Sequence, residues 1–229
     1  KNMFNKIFKR KDKTEIQENR IIGYQPQLQN SHVIFNGKNN ILVCDKGVKL
    51  VDSEICFQGN NSLIYLKSEE CRLNVCIFNN SVFYVGTRNY FNQTMKLVVA
   101  EEKNVFFGNY NNFSLNIKVR NSDAHPIYDI ASKLRINFSK SIYIGDRVWV
   151  GQDATLLKGT HICSGSIIGA QSVVANKIIP ANTIWCGNPV KQVKENIVWH
   201  KSCVNGWQTE ETSKFNDYTK KKIFYSKRF

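Results

Sequence analysis

The chain has 229 residues, of which 42% are hydrophobic, and its formal net charge is +14. This length suits one domain with a terminal appendage and allows a sizeable core, so the fold requires neither disulfides nor metals. No apolar run approaches the roughly 20 residues that span a bilayer, and the basic start, KNMFNKIFKRKDK, lacks the long apolar segment of a secretory signal. The seven cysteines are odd in number and contain no CxxC pair, which favours reduced thiols in a cytoplasmic protein.

Residues 1–32 form a basic N-terminal segment with a few apolar residues at helical spacing. We predict a short helix that docks on the body of the protein, and contact with the inner face of a membrane is the alternative. The positive charge is concentrated at the two ends of the chain, which favours anionic partners without saying which. Nucleic acid is not favoured, because no recognition module is present.

From Val33 to Arg120, asparagine-rich turns alternate with short apolar strands about 19 to 23 residues apart, as in NNILV, NNSLIYL, NNSVFYVG and KNVFFG. This spacing indicates successive coils of a β-helix. Asparagine suits the corners, because it tolerates left-handed backbone conformations.

Residues 121–140 interrupt the repeat with polar residues and a proline that no central strand would accept. A loop protruding from a β-helix is a usual place for catalytic groups. His125 lies in this loop beside Asp123 and Pro126. A neutral imidazole can take a proton from a hydroxyl at neutral pH, so we predict that His125 is a general base. Asp123, Ser122 or a backbone carbonyl could hold its second nitrogen.

The other three histidines, at positions 32, 161 and 200, are interpreted as surface or packing residues. His125 and His161 are 36 residues apart, so they could stack two coils apart, but a third ligand at suitable spacing is missing. No metal site is therefore predicted.

A strict period of six runs from Phe138 to Val174, and no helix or strand period explains it. Small residues tend to stand two positions before the apolar ones. We predict a hexapeptide-repeat β-helix in which each apolar residue points into a triangular coil. The apolar residues of this repeat are Phe138, Ile144, Val150, Leu156, Ile162, Ile168 and Val174.

The fold prediction is all-β, a left-handed parallel β-helix over residues 33–190 that includes the loop 121–140. Two proline turns close the repeat, and residues 191–229 are predicted to be a tail that is helical in part. Such a helix would cover the open end of the solenoid.

The stretch from Ser122 to Lys194 resembles the hexapeptide-repeat O-acetyltransferases, which include galactoside, maltose and bacterial surface-polysaccharide acetyltransferases. The motifs that carry the resemblance are SDAHPI, DRVWVG, GAQSVV and GNPVK, which begin at residues 122, 146, 169 and 187. Members of this family use acetyl-CoA as acyl donor and form trimers of left-handed β-helices with the active site between subunits.

The resemblance implies roles for individual residues. His125 would be the base, Trp149 would lie along the pantetheine arm, and Gly151 and Gln152 would border the thioester through backbone groups. Ala170 would contact the cofactor, and Lys191 and Lys194 would meet its phosphates. The sequence ANKII has one residue more than the usual family turn, which leaves open whether Asn176 or Lys177 faces the cofactor.

These observations predict a cytoplasmic, trimeric O-acetyltransferase that acts on a bacterial surface polysaccharide, in capsule or lipopolysaccharide synthesis. The basic charge favours an acidic acceptor such as a sialic-acid-containing glycan. Two alternatives stay open: an N-acetyltransferase acting on a nucleotide-linked amino sugar, and a non-catalytic β-solenoid that binds polyanions.

Overall fold

The structure, a computed structural model, describes residues 18–201. Within this range the chain forms 24 short strands and no helix. The strands stack in parallel into a three-sided coil, as the period of six predicts. No helix long and apolar enough to cross a membrane occurs in the described part of the chain.

The three sides of the coil are called faces A, B and C, in the order in which the chain visits them. Face A is one eight-stranded parallel sheet. Its strands are β1 (Arg20–Gly23), β4 (Ile41–Cys44), β7 (Leu63–Leu66), β10 (Val82–Val85), β13 (Val105–Phe107), β16 (Ile142–Ile144), β19 (His161–Ile162) and β22 (Ile178–Ile179).

Face B carries a three-stranded sheet and a six-stranded sheet, and its last strand pairs antiparallel with the one before it. Its strands are β2 (Gln27–Gln29), β5 (Lys49–Val51), β8 (Glu70–Cys71), β11 (Tyr90–Phe91), β14 (Asn112–Phe113), β17 (Trp149–Val150), β20 (Ile167–Ile168), β23 (Ile184–Cys186) and β24 (Lys191–Lys194).

Face C is a seven-stranded parallel sheet. Its strands are β3 (His32–Phe35), β6 (Glu54–Phe57), β9 (Leu73–Ile77), β12 (Met95–Val99), β15 (Lys118–Arg120), β18 (Thr155–Leu157) and β21 (Val173–Val174).

The repeat places one apolar side chain per strand inside the coil. From Ile144 to Val174 every sixth residue is at most 3% exposed, as predicted. The small residues two positions earlier are buried as well. Phe138 is the exception: it lies in the loop and is 61% exposed, with the guanidinium of Arg135 5.1 Å from its ring. The prediction that Phe138 is a core residue is therefore wrong.

Asparagine ladders support the corners of the N-terminal coils, where the chain turns from face C to face A. Asn39 donates to Asn61, Asn61 to Asn80, and Asn80 to Glu102, over 2.8, 3.2 and 2.9 Å. All four residues have φ between 53 and 58°. The left-handed corners expected of asparagine are confirmed, and each amide pairs with its equivalent on the next coil.

The ends of the coil differ from the sequence-based boundaries. Paired strands already begin at Arg20, so the first coil begins within the segment 1–32 rather than after it. Residues 191–194 form a strand of face B instead of the start of a helical tail. The helix expected near the N-terminus, and the rest of the tail beyond residue 201, lie outside the described residues.

Candidate active site

The loop 121–140 leaves the coil at the corner between faces C and A, after β15 and before β16. Asn137 closes its base: the amide Nδ2 donates to the carbonyl of His125 at 2.8 Å and to the carboxylate of Asp123 at 2.9 Å. Its Oδ1 accepts the backbone N–H of Ile127 at 2.7 Å. One buried side chain thus fixes the backbone on both sides of Pro126.

Glu101, on the coil before the loop, provides a second anchor. Its carboxylate accepts the Ser122 hydroxyl at 2.5 Å and pairs with the guanidinium of Arg135 at 2.7 Å. The Ser122 hydrogen bond, followed by Arg135, lowers the pKa of Glu101 below its usual value. The start and the return of the loop are therefore tied to the same carboxylate.

Asp123 forms an ion pair with Lys158, which lies at the same corner one coil later. The hydrogen bond from this ammonium, with that from Asn137, lowers the pKa of Asp123. Asp123 is thus engaged by Lys158 and Asn137, and no contact links its carboxylate to the imidazole of His125. Ser122, the second expected partner, bonds to Glu101 instead.

His125 itself is exposed at the surface of the loop. Its backbone N–H donates to the carbonyl of Asp123 at 2.8 Å. The imidazole has no hydrogen-bond or ion-pair partner among residues 18–201. The anchors therefore hold the backbone on either side of a ring that is available to a substrate or a second subunit.

A groove of about 650 Å³ opens beside the loop, next to Ala124. Its apolar lining includes Phe78, Val98 and Ala100, and Arg120 stands at its edge with Nε bonded to the carbonyl of Ser122. The groove beside Ala124 thus offers both apolar and charged contacts.

Trp149 lies on face B, away from the loop corner, and is 39% exposed. Its Nε1 donates to Ser114 Oγ at 3.3 Å. Trp199, from the end of the described tail, places its ring 5.9 Å from that of Trp149 and donates Nε1 to the carbonyl of Arg147 at 2.8 Å. The tail thus folds back against the side chain that the resemblance assigns to the donor.

Gly151, Gln152 and Ala170 meet at the corner between faces B and C, on successive coils. A Cβ on Gly151 would lie 2.6 Å from the backbone nitrogen of Ala170, so only glycine permits this approach. Gln152 and Ala170 are exposed, and within the described range their backbone N–H groups meet no protein acceptor. Two stacked donors at one corner could bind a carbonyl oxygen or a developing oxyanion.

The remaining cofactor candidates lie nearer the C-terminal end of the coil. Asn176 has φ of 47° and accepts a hydrogen bond from Lys140 at 2.8 Å, whereas Lys177 lies 5.1 Å from the ring of Trp185. Lys191 and Lys194 are exposed on β24, at the edge of face B.

One chain therefore presents two separate groups of candidate residues. His125, Asp123 and Asn176 share the corner between faces C and A, linked through Lys158, whose carbonyl accepts the N–H of Asn176. Trp149, Gly151, Gln152, Ala170, Lys191 and Lys194 lie on face B or at its corner with face C.

Sequence reasoning missed most of the residues that hold these groups, namely Lys158, Asn137, Glu101, Arg135 and Ser114. Lys158 could in principle have been predicted by aligning the coils. Arg120 pairs with Leu157, so this alignment places Lys158 beside the first loop residue. No comparable sequence signal marks the others.

The other histidines do not contribute to this corner as ligands. His161 faces outward on β19, with its ring 5.7 Å from that of Tyr143, as expected of a surface residue. No group of three or more potential metal-ligating side chains occurs among residues 18–201. The six cysteines in this range form no disulfide.

Comparisons with known proteins match this fold. The family model described as bacterial transferase hexapeptide (six repeats) matches residues 141–176. The polysialic acid O-acetyltransferase of Neisseria meningitidis is 28% identical over 71% of this chain and 76% of its own length. That of Escherichia coli O1:K1 / APEC is 36% identical over 46% of this chain, and the match spans only 34% of its length.

Among solved structures, the polySia-specific acetyltransferase NeuO superposes with a TM-score of 0.75 at 30% identity. The superposition covers 87% of this chain and 93% of that one. With its repeat, its parallel coil and this similarity over nearly the whole of a solved relative, the chain belongs to the hexapeptide-repeat O-acetyltransferase family.

Proposed function

We propose that this protein transfers an acetyl group from acetyl-CoA to a hydroxyl group of a bacterial surface polysaccharide or its precursor, in the cytoplasm. The observation that carries the proposal is the exposed imidazole of His125 on a loop whose backbone is fixed on both sides. The relatives named as O-acetyltransferases of polysialic acid support the reaction and the class of acceptor.

The proposed acetyl transfer uses both groups of candidate residues, that of His125 and that of face B. His125 takes the proton of a sugar hydroxyl, and the oxygen attacks the thioester carbonyl. The backbone N–H groups of Gln152 and Ala170 would stabilise the oxyanion, a contribution of about 3 kcal/mol for each well-placed donor. The C–S bond then breaks, the acetyl ester remains on the sugar, and the imidazole returns its proton to the thiolate.

The donor fits along face B. Lys191 and Lys194 carry fixed positive charge for its phosphates, and β24 lies three strand spacings from Trp149, about 14 Å at the usual separation of neighbouring strands. The indole of Trp149, fixed by Ser114 and Trp199, would lie along the pantetheine arm.

The proposal includes a homotrimer. Within one chain the base and the donor residues lie at different corners, so a neighbouring subunit would bring them together. The loop also exposes six large apolar side chains that such a contact would bury. They are Ile127, Tyr128, Ile130, Leu134, Ile136 and Phe138.

Replacing His125 by Ala tests the reaction. We expect the rate of acetyl transfer to fall by about 10²- to 10⁴-fold, measured by mass spectrometry of glycans incubated with acetyl-CoA, with an unchanged melting temperature. His161→Ala, which removes another exposed histidine, is the matched control.

Near-normal activity of His125→Ala would exclude the base assignment. Treatment of the product with mild alkali identifies the bond, because an ester is cleaved and an amide persists. A product resistant to alkali would point to N-acetylation, and no binding of acetyl-CoA at all would favour a non-catalytic solenoid.

A further inference from the structure

A column of basic and aromatic side chains runs along the corner between faces A and B. Arg88, Tyr110 and Arg147 occupy this corner on three successive coils, with φ of 55, 60 and 53°. The guanidinium carbons of the two arginines lie 5.6 and 5.5 Å from the centre of the Tyr110 ring. The same left-handed conformation repeats at each coil, so one tyrosine ring contacts both guanidinium groups.

A second column lies beside the first on face B. Tyr90, Asn112 and Trp149 are aligned across β11, β14 and β17, and each follows a member of the first column by two residues. Tyr90 is 47% exposed, and Lys201 Nζ lies 5.2 Å from the centre of its ring. The surface thus combines cations, aromatic rings and one amide over three coils, a span of about 10 Å.

The charge of Arg88 is available to a ligand. Arg88 is exposed, and its guanidinium forms no ion pair with any residue from 18 to 201. Two carboxylates lie nearby, and both already accept hydrogen bonds: Glu69 accepts the backbone N–H of Arg88, and Asp146 accepts from Asn109. Binding of an anion to Arg88 would therefore require no ion pair of Arg88 to break.

This chemistry fits one class of ligand. A guanidinium pairs with a carboxylate through two parallel hydrogen bonds, whereas the aromatic rings and the amide suit the C–H faces and hydroxyls of pyranose rings. A neutral glycan would leave the guanidinium of Arg88 unused. Nucleic acid would also be attracted by the charge, so single-stranded DNA serves as the competing ligand in the test below.

The position of the surface also fits an acceptor. Lys191 and Lys194 lie at the C-terminal edge of face B, and Trp149 lies between them and Tyr90. The donor would therefore occupy the coils towards the C-terminus, and the N-terminal coils of the same face would remain for the second substrate.

We infer that the column Arg88–Tyr110–Arg147 binds a carboxylate-bearing sugar chain, so that the acceptor of this enzyme is an acidic polysaccharide and Arg88 determines this specificity. The inference rests on the proposed function for the reaction, but the binding itself can be measured without it.

The test compares Arg88→Gln with Lys38→Gln, which removes one positive charge from an exposed side chain at another corner. The probes are a short oligomer of sialic acid and a neutral maltooligosaccharide, with binding followed by titration calorimetry at two salt concentrations. We expect Arg88→Gln to raise the Kd of the acidic oligomer about fivefold and to weaken its salt dependence. Lys38→Gln should leave both unchanged.

Two further measurements sharpen the result. Arg88→Lys should recover only part of the affinity, because an ammonium cannot form the bidentate pair. In the transfer assay, Arg88→Gln should raise KM for the acidic acceptor and leave kcat and KM for acetyl-CoA unchanged.

Equal affinity of Arg88→Gln and wild type for the acidic oligomer would overturn the inference, as would equal binding of the neutral oligosaccharide or tighter binding of single-stranded DNA. Failure of this inference can be distinguished from failure of the proposed function. Binding at Arg88 without acetyl transfer would contradict the reaction only, whereas transfer to a neutral glycan with no effect of Arg88 would contradict the inference only.

Discussion

The coils and the loop that interrupts them belong to one chain but are stabilised by different forces. In the coils, inward side chains such as Val150 and Ile162 are fully buried, and each strand pairs with its neighbours over most of its length. In the loop, a few polar contacts fix the base, and the tip exposes 85% of Ile130 and 67% of Leu134. Stability therefore resides in the coils, and the loop is available for function.

The largest expected effect is a difference in the free energy of unfolding between alanine variants of two phenylalanines. Phe107 is fully buried, with its ring 5.3 Å from Phe83 and 5.0 Å from Phe113, whereas Phe138 is 61% exposed. Phe107→Ala should lower the free energy of unfolding by about 3–5 kcal/mol, because it leaves a cavity inside the coil. Phe138→Ala is the matched control: it leaves no cavity in the coil, and at a protein concentration low enough to dissociate the proposed trimer it should change this free energy by less than about 0.5 kcal/mol. Chemical denaturation at one protein concentration measures both.

Similar losses at the two positions would mean that the loop belongs to the cooperative core. The sequence alone suggests this wrongly, because Phe138 fits the period of six. The period counts residues and does not record where a coil resumes. After the loop the chain re-enters the coil at Ile142, so the residue six positions before Ile144 is still outside it.

Much of the coil could be predicted because its signal is local and repeated. The inward residues, the asparagine corners and the interruption at His125 all follow from spacing and residue type. The loop anchors could not be predicted in the same way. Glu101–Arg135 and Asp123–Lys158 join residues 34 and 35 positions apart, and only the stacking of coils brings them together.

The column at the corner between faces A and B shows the same limit. Arg88 and Tyr110 are 22 positions apart, but Tyr110 and Arg147 are 37 apart, because the loop is inserted between them. A fixed period therefore misses the alignment, and the register of the strands on either side shows it.

The next prediction concerns the exposed tip of the loop. Replacing both Ile130 and Leu134 by Asp should convert the proposed trimer into monomers and abolish transfer, because two charges would have to be buried in the contact between subunits. The coil should keep its circular dichroism spectrum. Sedimentation velocity measures the change of oligomeric state.

The control places one charge far from the loop. Tyr24, which is 55% exposed on the first coil, can be replaced by Asp without changing the assembly if the loop makes the contact. A wild-type chain that sediments as a monomer and still transfers acetyl would contradict the trimer and would leave the apolar tip without this explanation.

The smallest expected effect is on the stability of the loop and comes from the ion pair of Asp123 with Lys158. The direction of its pH dependence follows from the lowered pKa of Asp123. Lys158 lowers the pKa of Asp123 in the folded protein, so the anchor contributes fully above the ordinary carboxylate pKa of about 3.9 and is lost as the pH falls through the lowered value. The carboxylate is 42% exposed, and such pairs contribute only about 0.2–1 kcal/mol.

The protection factors of the loop amides, which are exchange rates corrected for the intrinsic effect of pH on amide exchange, should fall as the pH is lowered from 7 to about 2, through the lowered pKa of Asp123, while the coil amides remain protected. Lys158→Met should exchange faster at neutral pH already and lose most of the pH dependence, because Asp123 no longer has a cation to pair with. Glu101 keeps its own anchor through Ser122 and Arg135, so the base of the loop should stay closed in this variant. Opening of the whole loop in Lys158→Met would show that the two anchors act as one unit.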